Sequence, residues 1–512
     1  MFNTLTLAMT VIYYFGAIHK ISISELFVKL FLFIFFLILT LPQASFALPI
    51  DWHGVLGVDT TLIDSYRRVE QTQQGTANTG SQELSLANGQ HANASFKTYL
   101  FRLEPVLIVN DSSSIKMEFS NGYGRGGRLG TNDTTSKSAD MANNLYYFNT
   151  VSPNSSGLLV NQLYMELYSD AATYQLGRHT ANWGLGAVIN SGENTWDRNF
   201  FVRDGITMKV KIGNFDFAPF ISDFGASESL TRATKGSEYG FSALYDNPER
   251  DLAFGLYYSK KETSAFNGTV KSDIQATGTQ TALGEASTKL TDIYLKKKFG
   301  MFQIGVEVPI LSGDVGYLYT TQSKTNYKGK ALLLEASFDF TDHSKLRVWA
   351  GNVAGDSGGQ SSFDAMYLNP NYQIANLLFR YNLRAVADPT TYGLFDSYIT
   401  NAKYAKLSYE YKSDKSKWSF AVLQAVANET AKAGTVSYNH LTNKNFNAQF
   451  DQSDSLGTEI DVDFDYQWNN EVILGGSFGY LLTGDYFAYT NTSTPNTTKN
   501  AMVMQLRSGI AF

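Results

Sequence analysis

Three groups of residues have the types and spacing that chemistry asks for. Gly355-Asp356-Ser357-Gly358-Gly359 sets a serine among glycines, as a hydrolytic nucleophile is often set. Such a serine needs a histidine base oriented by a carboxylate. No Ala-Ala-His segment precedes it and the chain has no cysteine framework, so a loop is expected here and no catalysis. Gly122-Tyr123-Gly124-Arg125-Gly126-Gly127 has the spacing of a phosphate cradle, yet Thr131-Asn132-Asp133-Thr134-Thr135 stands where a helix should begin. Without the positive end of a helix no anion site is built, and a flexible surface loop is expected. The third group, Asp461, Asp463 and Asp465, puts three carboxylates on one face of an extended chain, roughly 7 Å from one to the next. They can hold or select a cation, or form a solvated wall.

Histidines add little to this. Beyond the first segment they are His53, His91, His179, His343 and His440, none spaced as a metal pair. His179 shares a strand face with Gln175, and a place in an aromatic girdle or at a loop mouth is expected for it. Neither a metal nor a cofactor is expected.

The elements that must position these residues show best in the last twelve, Ala501 to Phe512. At a period of two, Met502, Met504, Leu506, Ile510 and Phe512 share one face, and Gln505, Arg507, Gly509 and Ala511 share the other. Phe512 and Ile510 fit a signal that closes a barrel and is read by an assembly machinery. Such a strand must pair with the first one, since lipid offers no partner to a bare backbone edge.

The same alternation recurs upstream. Ile460, Val462, Phe464, Tyr466 and Trp468 fall on one face and Glu459, Asp461, Asp463, Asp465 and Gln467 on the other. In Ile206 to Ile212, Lys209 and Lys211 point inward. Short turns are expected at Ser169-Asp170-Ala171, Gly213-Asn214, Asn247-Pro248-Glu249-Arg250, Gly300, Asp342-His343, Ser413-Asp414 and Asn469-Asn470, with long polar excursions between them. Aromatics gather beside the short turns: Phe215, Tyr245, Phe299, Phe340, Tyr411, Trp418, Trp468 and Phe512. These features predict an all-β chain, a transmembrane antiparallel β-barrel of about eighteen strands with short periplasmic turns and long extracellular loops.

Residues 1–47 read as a signal peptide. Lys20 and Lys29 precede an apolar run from Leu30 to Leu41, and the small residues Ser45 and Ala47 precede the expected cleavage. Residues 48–512 then form one barrel domain. Composition agrees: 43% hydrophobic, 14% aromatic, 17% charged, formal net charge -6. That balance excludes disorder, and nucleic acid is not an expected partner. With no cysteine, stability has to come from the backbone ladder.

A resemblance adds to this reading. Leu176-Gly177-Arg178-His179-Thr180-Ala181-Asn182-Trp183-Gly184-Leu185-Gly186 looks like a strand-to-loop motif of large porin-like barrels. Phe363 to Pro370, with Ile399 to Tyr409, is similar to the stretches flanking the characteristic loop of alginate-export-type barrels. That family implies an eighteen-stranded barrel passing polysaccharide. Its histidine after the proline is replaced here by Asn371-Tyr372, a departure that bears on substrate more than on fold.

The expected role is an outer-membrane porin for small polar solutes or oligosaccharides, with outer-membrane lipid, lipopolysaccharide and the barrel assembly machinery as partners. A polysaccharide exporter would need a basic track such as Lys209, Lys211, Lys296, Lys298, Lys345, Arg347 and Arg507. A barrel-anchored adhesin is the reading from another class. The excursion from Gly351 to Ser397 carries Ile374, Leu377, Leu378, Phe379, Leu383 and Val386, too apolar to float in water. It is expected to fold inward and place Arg380 and Arg384 in the solute path beside Asp461, Asp463 and Asp465, with an extra wall hairpin as the alternative.

Overall fold

The computed structural model describes residues 49–70, 80–82, 92–121, 125–129, 158–224, 236–263, 285–316, 318, 323–359, 361–387 and 393–512. The expected signal peptide lies outside them, as do Gly122, Tyr123 and Gly124 of the glycine-rich motif and His91. Eighteen long strands make the wall: β1 (Ile50–Asp64), β2 (Ala94–Asn110), β3 (Ser113–Asn121), β4 (Leu158–Tyr168), β5 (Thr173–Thr180) and β6 (Val202–Ile212). They continue with β7 (Phe215–Phe224), β8 (Gly236–Asn247), β9 (Leu252–Thr263), β10 (Ser287–Phe299), β11 (Phe302–Asp314) and β12 (Ala331–Asp339). The last six are β13 (Ser344–Val353), β14 (Ala402–Lys412), β15 (Ser416–Ala427), β16 (Ser455–Gln467), β17 (Val472–Thr483) and β18 (Ala501–Ala511).

Each strand pairs antiparallel with the next, and β18 returns onto β1 from Val55 opposite Ala511 to Asp64 opposite Met502. Past that ladder, the Gly54 N–H donates to the Phe512 carbonyl at 2.8 Å and the Phe512 N–H to that of Gly54 at 3.0 Å. The cylinder is therefore closed, with eighteen wall strands. An extra hairpin raising the count to about twenty is overturned.

Connections alternate in length as the turn residues imply. Two to four residues join strands at one end, and much longer segments join them at the other. Gly213 and Gly300, each at φ +59, take the first position of their two-residue turns, a conformation that suits glycine.

Alternation sets the two faces. Along β18 the outward residues Met504 and Leu506 are exposed, whereas Val503 and Gln505 are buried on the lumen side. Along β16 Ile460 is outward, and Glu459 and Asp461 are buried inside. The aromatics beside the short turns form a band: Phe215 meets Tyr245 with tilted rings and ring centres 4.8 Å apart, and Trp418 meets Phe464 at 4.3 Å. An outer belt of exposed aliphatics between two ends is what lipid selects for.

Depth along the wall fixes what a charge costs there. Leu407, midway along β14, is 51% exposed on the outer face. Leu407→Arg should therefore destabilise the folded barrel by about 2–4 kcal/mol, whereas Phe464→Arg, inside the aromatic band, should cost about 0–1 kcal/mol. Denaturant unfolding of the two variants in detergent or lipid checks this, and equal costs would mean that the outer belt is not a lipid boundary.

Candidate functional site

The wall is too wide for its own side chains to fill, and among the described residues two long connections carry most of the inward chain, with Tyr66, Tyr486 and Phe487 of two others in the same core. The first, residues 354–401, runs from β13 to β14. Its Leu368, Ile374, Leu377, Leu378 and Leu383 are buried against wall residues Leu333, Val353, Tyr404, Leu423, Leu481 and Val503. A polar tether fixes its register. The Glu459 carboxylate on β16 accepts the backbone N–H groups of Asn376 at 2.9 Å, Leu377 at 2.6 Å and Leu378 at 2.7 Å. The Asn376 amide then donates to Asp463 at 3.0 Å.

The second inward connection, residues 181–201, joins β5 to β6. Trp183 and Ile189 pack with Phe220, Tyr257 and Leu290 of β7, β9 and β10, the opposite arc of the wall. Its Trp196 lies on Gly57 and Gly509, which face each other across the closing ladder. A Cβ on either would come within 2.6 Å or 2.9 Å of the indole, so glycine makes the seat. The two connections are joined to each other: the Asn369 N–H donates to the Ala187 carbonyl at 2.7 Å, and the Asn371 amide donates to the Asn199 carbonyl at 2.5 Å.

Between them lies a cavity of about 120 Å³ lined by Asp59, Trp196, Arg198, Asn371, Arg380 and Arg507 among others. Its cations differ in what they face. Arg198 donates to Asp59 at 2.8 Å and stacks on Phe395; Arg507 donates to Asp465 at 2.7 Å. Arg380 has only amide oxygens as hydrogen-bond acceptors, Gln373 at 2.8 Å and Gln505 at 3.2 Å, with no ion pair among the described residues. Its guanidinium thus lies outside ion-pair distance of a described carboxylate, with Asp59 in the same lining.

The other expected site residues distribute as follows. Asp463 and Asp465 face the lumen but are engaged by Asn376 and Arg507. Asp461 is 1% exposed, 3.9 Å from Lys406, and so is buried rather than part of a solvated wall. Lys209 projects inward from β6, while Lys211 sits at the short-turn end, 3.6 Å from Asp216. Arg384 is apart from Arg380: its guanidinium donates to the Leu441 carbonyl at 3.0 Å, on the long-loop side. The arginines expected together stand on two faces of one partition. Ile510 is outward on β18 beside Phe512, also exposed.

Several motif readings change. Arg125, expected in a flexible loop, is 1% exposed and makes a two-pronged pair with Glu118 at 2.7 Å and 2.8 Å, because β3 brings that carboxylate under it. His179 is buried inside the wall, Nε2 at 2.7 Å from the Thr207 hydroxyl, and is not at a girdle or a loop mouth. In the Gly-Asp-Ser-Gly-Gly run, the Asp356 N–H donates to His440 Nε2 at 2.9 Å, and the Asp356 carboxylate accepts the Gly358 and Asp364 N–H groups at 2.7 Å and 2.8 Å. The imidazole and carboxylate thus hold the loop, and neither is directed to Ser357. Sequence reasoning placed Glu459 inward without a role and did not select Trp196, Arg198 or Arg68. The apolar content of residues 181–201 was the signal for the first of these.

No protein-family model matches the sequence, and no curated protein matches it. Solved structures similar in backbone include OccK2 (OpdF) of Pseudomonas aeruginosa in complex with glucuronate, 8% identical, TM-score 0.45, covering 90% of this chain and 97% of that one. OpdK of Pseudomonas aeruginosa with vanillate is 9% identical with TM-score 0.45, covering 90% and 98%. OccK9 (OpdG) of the same organism is 12% identical with TM-score 0.45, covering 90% and 99%. The closure and the inward connections described above follow from this chain's own hydrogen-bond ladder.

The tether gives one expected outcome. Glu459→Ala leaves three buried N–H donors without acceptors, each worth about 1–3 kcal/mol, so amide exchange at Asn376, Leu377 and Leu378 should rise steeply while the wall stays protected. Unchanged protection there would remove Glu459 from this role. The loop latch gives a pH effect. Burial pushes His440 down to about 3 and raises Asp356 to about 6. The His440 contribution is full above the unfolded value of about 6.5 and is lost as pH falls toward about 3; that of Asp356 is present below the usual carboxylate value and is lost as pH rises through about 6. Acidifying from pH 7 to pH 4 should thus loosen residues 354–359 through His440. In His440→Gln the Asp356 trend remains, and amide protection in that segment, relative to the intrinsic exchange rate at each pH, should rise on acidification.

Proposed function

We propose that this chain is an outer-membrane channel for small polar solutes, with anionic ones favoured at its constriction. The observation that carries this reading is a closed eighteen-strand cylinder whose two inward connections leave a polar recess facing an arginine without a carboxylate partner. A positive charge held in a low-dielectric narrowing attracts anions more strongly than the same charge in water. The apolar outer belt is suited to lipid, with lipopolysaccharide around the long-loop end, and the barrel assembly machinery would read Ile510 and Phe512. No catalytic step, metal or cofactor belongs to this reading.

Export of an alginate-like polysaccharide is the finer reading that the resemblance implies. It needs a continuous basic track, and the candidate track is interrupted by acids. Lys345 lies 2.9 Å from Asp339, Arg347 lies 3.2 Å from Glu410, and Arg507 faces Asp465. Small solutes fit this mixed lining better than a long polyanion. The adhesin reading, in which the barrel is only an anchor, draws on a specific observation too: the apolar cluster around Leu377, Leu378 and Tyr381 fills much of one side of the lumen.

Single-channel recording in a planar bilayer separates these. The wild-type protein should conduct, with anions passing more readily than cations, and Arg380→Ala should lower that preference without abolishing conductance. Deleting residues 373–387 should raise conductance clearly. A silent wild-type protein would leave the anchor reading standing, and an unchanged ion preference in Arg380→Ala would remove that residue from the path.

A further inference from the structure

Two inward aspartates of the wall, Asp292 and Asp461, have no hydrogen-bond donor on either carboxylate oxygen among the described residues. Asp461 at least has Lys406 at 3.9 Å. Asp292, on β10, is fully buried, and what its carboxyl touches is another acid. The ladder sets Tyr294 of β10 opposite Glu307 of β11, so Asp292, two residues away on the same lumen face, reaches the Glu307 carboxyl within hydrogen-bonding distance. Glu307 is equally buried. One of its oxygens accepts the Leu185 N–H from the inward connection 181–201, and the other has no donor.

No described cation balances the pair. The titratable groups that face it are Tyr257 on β9, Tyr294 on β10, Glu335 on β12 and Tyr404 on β14. Residues 183–189 of the connection contribute none. The Arg203 guanidinium, beyond Tyr257, is occupied by that hydroxyl at 2.6 Å and by the Phe220 ring. Two carboxyls in contact and out of water do not both ionise; one keeps its proton and donates it to the other.

The connection is fitted to this spot. Gly184, at φ +60, lets the backbone settle on the carboxylate, since a Cβ there would come within 2.8 Å of the Glu307 carboxyl carbon. On the wall, Gly255 lies under the Trp183 indole and Gly305 under the Leu185 side chain, where a Cβ would come within 2.7 Å and 3.1 Å. From this seat the Ala187 carbonyl accepts the Asn369 N–H of the other inward connection at 2.7 Å.

We propose that Asp292 and Glu307 share one proton, that this proton seats residues 183–189 on the wall, and that its loss unseats them and widens the constriction. Asp292 is thus a positioning residue that acts through Glu307. When the proton passes to lumen water, only an O–H bond is broken, and two like charges are left side by side beneath the Leu185 N–H. The near half of the connection then lifts, taking the Ala187 carbonyl from Asn369. Its far half stays, because Arg102 and Arg125 donate to the Gly192 carbonyl and Arg198 to Asp59. That the movement alters passage rests on the channel reading above; the latch does not.

Amide exchange of the full-length protein in detergent, taken relative to the intrinsic rate at each pH, tests the latch, and single-channel conductance tests its consequence. From about pH 6 to about pH 9, protection at Leu185 and Ala187 should fall at least about tenfold, and conductance should rise. Asp292→Asn keeps the shape and a donor to Glu307 but cannot ionise, so both profiles should be flat. Glu307→Gln, whose amide donates to Asp292 while its oxygen still accepts the Leu185 N–H, should be flat as well. Constant protection in the wild-type protein across that range overturns the proposal, whether or not either variant folds. So does the wild-type profile in folded Asp292→Asn. Falling protection with unchanged conductance in a conducting protein overturns the widening. Falling protection in a protein that conducts no ions sustains the latch while the channel reading falls.

Discussion

The pairing of β18 with β1 is the constraint on which the rest depends. A sheet in lipid has no solvent to satisfy a free edge, so the ladder must close on itself. Eighteen strands close into a cylinder wider than wall side chains can fill. What enters that space must then be water or chain, and chain brings backbone N–H and C=O groups that need partners. The inward carboxylates of the wall answer this demand. Glu459 receives three N–H groups of one inward connection, and Glu307 on β11 receives that of Leu185 from the other. An acidic residue on the lumen face of a strand is therefore as much a cap for a loop as a lining for water.

That double use explains what the sequence does and does not disclose. Wall strands, short turns and the closing strand are legible because their signals are local: a period of two, a Gly-Asn or a Pro between runs, aromatics at the ends. The inward path of residues 354–401 is legible as well, since six large apolar residues within one excursion demand shelter. Residues 181–201 carry a similar message in Trp183, Leu185, Val188 and Ile189, diluted by glycine and asparagine. What the alternation cannot distinguish is Glu459 from Asp463, inward acids four residues apart on β16. One is sealed beneath a loop and the other takes a single amide; the difference lies in a segment some eighty residues earlier. Arg125 was misread for the same reason, because the glycines around it are local and the partner that buries it is on β3.

Charge is divided between wall and loops, and the division bears on function. Many lumen-facing wall cations stand opposite wall acids: Lys345 with Asp339, Arg347 with Glu410, Arg507 with Asp465. Such pairs are partly shielded and add little net field, and they serve mainly to make an inward polar surface tolerable. Arg380 and Arg68, whose nearest partners are amides or a ring, belong to connections, whereas Arg203 on β6 lies over the Phe220 ring and donates to the Tyr257 hydroxyl. Strands are bound by register, so a cation there meets what the fixed spacing of the ladder sets beside it, an acid for Lys345 and rings for Arg203. A connection is free of that rule and can hold a guanidinium outside ion-pair distance of a described carboxylate, as Arg380 is held near Asp59 and Asp463. In this barrel the wall supplies the support, and the inward connections supply guanidiniums outside ion pairs, the charge on which the proposed selectivity rests.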